Sequence, residues 1–121
     1  MVHRVLVVDD HDEVRSAIAS MLTTQGFAVI GEAANGADAM TMVLEERPDL
    51  VLLDIRLPGP DGFEVAHQLA RLTPAPAVVL ISSHEARVYD QQVLGSPAVA
   101  FITKSDLSGD TLRRALGEVT P

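Results

Sequence analysis

Val5-Leu6-Val7-Val8-Asp9-Asp10 is a continuous apolar run that ends abruptly in two acids. A strand buried on both faces reads this way, because helices cover both sides of a parallel sheet and no position has to face water. The pattern returns at Leu50-Val51-Leu52-Leu53-Asp54, and further short runs lie at Phe27 to Glu32, Ala77 to Ile81 and Val99 to Ile102. Amphipathic stretches separate them. After the first run, Asp12 is the expected N-cap of a helix whose stripe is Val14, Ile18, Met21 and Leu22, closed by Gly26. Asn35-Gly36 opens a second helix that buries Ala39, Met40, Val43 and Leu44 and is stopped by Pro48. The turn formers Leu57-Pro58-Gly59-Pro60-Asp61-Gly62 precede a third, burying Val65, Ala66 and Leu69. A fourth is expected over Glu85 to Leu94. A fifth is expected from an N-cap at Ser108 to Val119, with Leu112, Ala115, Leu116 and Val119 inward. Five βα units in succession predict a doubly wound α/β sandwich with right-handed crossovers.

The chain has 121 residues, a length that fits a single domain over 1–121, and 47% of them are apolar, enough for a real core. Asp and Glu number 17 against 9 Lys and Arg, and the resulting charge of −8 lacks the basic footprint that direct nucleic-acid binding needs. Phe27, Phe63, Tyr89 and Phe101 are too few for a base-stacking platform. Without cysteine there is no disulfide framework, thiolate metal site or cysteine nucleophile. The longest apolar stretch, Ala75 to Ile81, is too short to span a bilayer, and Met1-Val2-His3-Arg4 runs straight into the first strand without a leader pattern. The expectation is a soluble, acidic, cytoplasmic domain that binds neither nucleic acid nor membrane.

Polar groups do not follow all five strands equally. Asp9 and Asp10 follow the first, Asp54 the third, Ser82 the fourth and Lys104 the fifth, whereas the second leads into Ala33-Ala34. Ligands of open parallel sheets bind beyond the carboxyl ends of the strands, where strand order reverses. The order 2-1-3-4-5 gathers these five side chains around one crevice. Three carboxylates there repel, and Lys104 offsets only one charge; a raised pKa or a bound cation relieves the rest. Oxygen ligands without His or Cys suit Mg²⁺ or Mn²⁺. A carboxylate, a metal, a hydroxyl and a lysine together suggest an Asp nucleophile that accepts a phosphoryl group.

The chain resembles the receiver domain of two-component response regulators over essentially its whole length. The matching pieces are Val5 to Asp10, Pro48 to Asp54, Leu57 to Gly62, Ile81-Ser82 and Phe101 to Lys104, and their order and spacing make the resemblance specific. It implies the flavodoxin-like fold, with Asp54 phosphorylated by a histidine kinase or a histidine phosphotransfer protein. It further implies Mg²⁺ held by Asp9, Asp10, Asp54 and the Arg56 backbone carbonyl. Ser82 and Lys104 would each meet a phosphoryl oxygen, and Phe101 would change rotamer when Ser82 moves. Output, including a phosphorylation-dependent homodimer, would use the face of the fourth helix, fifth strand and fifth helix. The Asp9-Asp10-His11 stretch and the segment from Phe101 to Ser105 look most like regulators with a C-terminal helix-turn-helix.

The chain departs from the family in places. Ser105 stands where many receivers have a proline after the lysine, so a trans peptide is expected there. Gly95-Ser96-Pro97 replaces the usual exit from the fourth helix, which should therefore end by Leu94. Arg56 and His84 each lie two residues beyond a site residue and should overhang the crevice, slowing attack by water. Simpler roles stand beside these: Asp9 and Asp10 as helix caps, Ser82 as a strand terminus, Phe101 as a core ring, and His11, His67 and His84 as solvated side chains. Three rival functions fit the residues less well. An aspartyl phosphatase wants an acid where Arg56 stands, and a flavodoxin-like cofactor binder wants a phosphate loop where Asp9 to Asp12 stand. A pseudo-receiver would lack some of the acids, Ser82 or Lys104.

Overall fold

The computed structural model describes residues 3–84 and 89–117. Among the described residues the chain alternates β1 (Arg4–Val8), α1 (Asp12–Thr24), β2 (Ala28–Ala33), α2 (Gly36–Glu46), β3 (Leu50–Asp54), α3 (Gly62–Ala70), β4 (Ala77–Ser82), α4 (Asp90–Leu94), β5 (Ala100–Thr103) and α5 (Gly109–Ala115). The strands form one parallel sheet in the order β2-β1-β3-β4-β5, as the pattern of terminal polar groups requires.

The unbroken apolar strands are explained by two cores, one on each face. Leu6, Val8, Val51, Leu53 and Leu80 pack with α2 and α3, burying Ala39, Val43, Val65, Ala66 and Leu69. Their chain neighbours Val5, Val7, Leu50, Leu52 and Ile81 point the other way, onto Ile18, Ala19 and Leu22 of α1 and Leu112 of α5. Alternation along each strand sends successive side chains to opposite faces, and both faces are dry.

Several sequence expectations shift. His11, not Asp12, is the N-cap of α1, and it makes no side-chain cap; the His11 N–H is instead taken by Asp9 Oδ1 at 2.9 Å. Val14 is 37% and Leu44 47% exposed, so both fall outside the stripes assigned to them. Periodicity identifies the buried face of a helix but not its width. β5 begins at Ala100, paired with Val79, and Val99 is exposed. β2 starts one residue later than expected, at Ala28. In α5 the capping box of Ser108 and Thr111 is present, but the helix ends at Ala115. The expected positions Glu85 and Val119 lie outside the described residues. α4 does end at Leu94, two residues before Ser96-Pro97, and the Lys104–Ser105 peptide is trans. Among the described residues no helix is long and apolar enough to cross a membrane.

Candidate functional site

The four strands that end in polar groups are contiguous in the sheet, so their carboxyl ends open onto one crevice. The registers Val8↔Leu53, Asp54↔Ile81 and Ser82↔Thr103 bring Asp9, Asp54, Ser82 and Lys104 to the same edge. Asp9, Asp54 and Ser82 are buried. A buried carboxylate is costly unless a charge or hydrogen bond offsets it. Lys104, first residue of a short 3-10 turn over Lys104–Asp106, supplies the charge: its Nζ lies 2.7 Å from Asp9 Oδ2 and 3.3 Å from Asp54 Oδ2. The contact with Asp9 is an ion pair off the hydrogen-bonding direction, so Asp9 Oδ2 is buried without a well-aligned donor.

Burial pushes the Asp54 carboxyl above its ordinary range; Lys104 pulls it down, Asp9 pushes it up again, and the net shift is upward. For Lys104, burial works against the ammonium, but Asp9 and Asp54 outweigh it and hold its pKa above the ordinary value. A buried carboxylate with a raised pKa is a more basic, and so more nucleophilic, oxygen, with a cation beside it to receive developing negative charge.

Asp10 is exposed at the rim. One oxygen each from Asp9, Asp10 and Asp54 and a ring nitrogen of His11 lie within 4.8 Å of one another. His11 Nδ1 is 3.2 Å from Asp10 Oδ1 and 3.5 Å from Asp9 Oδ1, although its side chain is 72% exposed. Three convergent carboxylates, one with an oxygen lacking a proper donor, fit a small hard divalent cation. This cluster could hold a metal.

The remaining expected residues fall as follows. Ser82 Oγ accepts the His84 N–H at 3.0 Å, and Asp54 Oδ1 accepts the Arg56 N–H at 3.3 Å. The side chains of Arg56 and His84 meet, Nη2 to Nε2 at 3.3 Å. Phe101 is half-buried on β5, its ring centroid 6.4 Å from that of Tyr89. Gly62 lies against the Asp54 backbone: a Cβ there would collide with the Asp54 carbonyl oxygen.

Two participants escaped the sequence reading. His11 had a signal, its place directly after Asp9-Asp10, but its default role is a solvated side chain. Tyr89 had none. It reaches the site only because its ring packs against Phe63 at 5.8 Å while its hydroxyl accepts Arg56 Nε–H at 3.4 Å, a contact between separate loops.

Residues 5–116 match the sequence profile of the response regulator receiver domain. Over 102 residues the chain is 37% identical to the response regulator GacA of Pseudomonas aeruginosa, covering 84% of this chain and 48% of that one. Over 106 residues it is 35% identical to the positive transcription regulator of virulence factors BvgA of Bordetella pertussis, covering 88% and 51%. The chain thus spans about half the length of these curated relatives. Among solved structures, the signal receiver domain of NarL from Mycobacterium tuberculosis superposes with a TM-score of 0.83 at 32% identity, covering 97% of this chain and 98% of that one. The response regulator domain of Thermotoga maritima CheB gives 0.81 at 26% identity, covering the whole of both chains.

Proposed function

Because this chain belongs to the receiver-domain family of two-component response regulators, we propose that Asp54 is its phosphoacceptor, served by Ser82, Lys104 and a divalent cation. The observation that carries this reading is the buried Asp9–Lys104–Asp54 bridge at the carboxyl edge of the sheet. An Asp54 oxygen attacks the phosphorus of a phosphohistidine on a histidine kinase or phosphotransfer protein. A P–O bond to Asp54 forms as the P–N bond breaks, and the proton that restores neutral imidazole comes from solvent. Lys104 then pairs with one phosphoryl oxygen, and the Ser82 hydroxyl donates to another. Asp9, Asp10, Asp54 and the Arg56 carbonyl would hold Mg²⁺ (or Mn²⁺), which when bound neutralises the carboxylates and the incoming phosphoryl oxygens.

The chemistry is one covalent transfer and its hydrolytic reversal, which suits a switch rather than a turnover enzyme. As Ser82 moves toward the phosphoryl group, Phe101 changes rotamer, and the α4-β5-α5 face shifts between two states. That face would pair with a second copy or instruct an output domain. The relatives that are transcription regulators make control of transcription in the cytoplasm the favoured output. Arg56 and His84 stand over the mouth and slow the attack of water; Arg56→Ala and His84→Ala should each lose the phosphoryl group faster.

Incubation with acetyl phosphate and Mg²⁺ tests the core of this reading. Mass spectrometry should find one added phosphoryl group on Asp54, none without the metal, and none in Asp54→Asn. A group on any other residue, or none, overturns it.

A further inference from the structure

We infer that Tyr89 is a positioning residue for the Asp54 site: its hydroxyl anchors the Arg56–His84 pair across the mouth of the crevice and so sets how fast water reaches a phosphoryl group there. The inference rests on the reading of Asp54 as phosphoacceptor. Arg56 leaves the loop after β3 and His84 the loop after β4. Each is tied by its backbone N–H to a side chain that would handle phosphate, Arg56 to Asp54 Oδ1 and His84 to Ser82 Oγ. The Arg56 guanidinium and the His84 ring meet at 3.3 Å, Nη2 to Nε2. The result is a bridge between the two loops that carry Asp54 and Ser82 into the site.

An exposed arginine does not hold such a pose without loss of entropy. Tyr89 supplies a third fixed point. Its hydroxyl lies 3.4 Å from Arg56 Nε, and its ring is held between Phe63 at 5.8 Å and Phe101 at 6.4 Å. An aromatic ring has only two torsions to immobilise and is already packed on both sides, so it is a stiff anchor. Beside it lies an open groove of about 500 Å³ lined in part by Asp10, Arg56, Phe63 and Tyr89. Hydrolysis requires a water oxygen to attack phosphorus opposite the Asp54 oxygen. The P–O bond to Asp54 breaks, the water proton is lost to solvent, and carboxylate and inorganic phosphate are released. On this inference the bridge screens that approach.

Tyr89→Phe keeps the ring packing and removes only the anchoring oxygen. After loading with acetyl phosphate and Mg²⁺ and removal of the donor, loss of the added mass should run roughly 2- to 10-fold faster than in wild type, the rate equivalent of one hydrogen bond. In an Arg56→Ala background the same substitution should change nothing further, which a merely structural role for Tyr89 would not reproduce. Unchanged decay in Tyr89→Phe, or equal acceleration with and without Arg56, overturns the inference while leaving the phosphoacceptor reading intact. A wild type that takes up no phosphoryl group overturns both.

Discussion

Asp54 is pushed up by exclusion from water and by the charge of Asp9 and pulled down by Lys104, and the upward shift of its pKa says that the first two together win. The folded state therefore favours a neutral group at this position, and in the unloaded protein the charge is a liability for stability. The raised pKa means that the folded protein binds the Asp54 proton more tightly than the unfolded chain does. The advantage is fully present below the ordinary value of 3.8 and is lost as pH rises through the shifted value. Asp54→Asn is neutral at every pH, so at pH 7 without divalent cations it should melt above wild type, and the gap should close as pH falls toward 3.8. Thermal denaturation of both proteins across that range checks the sign. An Asn variant less stable at pH 7 would mean that the attraction to Lys104 outweighs desolvation.

At the scale of elements, the start of α3 is welded to β3, the strand that ends in Asp54. Asp61 caps the helix by accepting the Glu64 N–H at 3.0 Å, and the Gly62 N–H donates to the Ile55 carbonyl at 2.8 Å. A Cβ at Gly62 would meet the backbone of Asp54 and Ile55, which cannot rotate away. Gly62→Ala should cost ~1–3 kcal/mol or more by overpacking, and because the backbone displaced is that of Asp54, it should also slow phosphorylation. Gly59→Ala in the same loop is the control. It strains a positive φ of 75° but meets nothing within 4 Å, so it should cost ~1–2 kcal/mol and leave the reaction rate alone. Chemical denaturation and acetyl phosphate kinetics separate the two. These packing constraints were illegible in the sequence, where Gly62 reads only as a turn former. The strands were legible because burial on both faces writes itself as unbroken runs such as Leu50 to Leu53. The site was legible because its groups each sit at a strand end. What failed was whatever depends on the width of a helix face, as at Val14 and Leu44, or on side chains meeting between loops, as at Tyr89.

At the scale of the whole molecule, the two cores leave apolar surface where the proposed switch would be read. Leu94 at the end of α4 is 85% exposed and Val99, just before β5, is 55% exposed. Burying one such side chain contributes ~1.5–3 kcal/mol, roughly a tenfold or greater change in a dissociation constant. A pair contributed by each of two copies is enough to make association depend on a modest shift of the α4-β5-α5 face. The shift must come from differential binding of the phosphoryl group, since a ligand that favours neither state moves no equilibrium. Light scattering after size exclusion should therefore report a monomer for the free protein. It should report a dimer once Mg²⁺ and beryllofluoride, an analogue of the phosphoryl group, are added. Leu94→Ser should weaken that dimer about tenfold or more without reducing the mass gained at Asp54 from acetyl phosphate, because Leu94 does not touch the crevice. A variant that dimerises as tightly as wild type would move the interface to another face of the molecule.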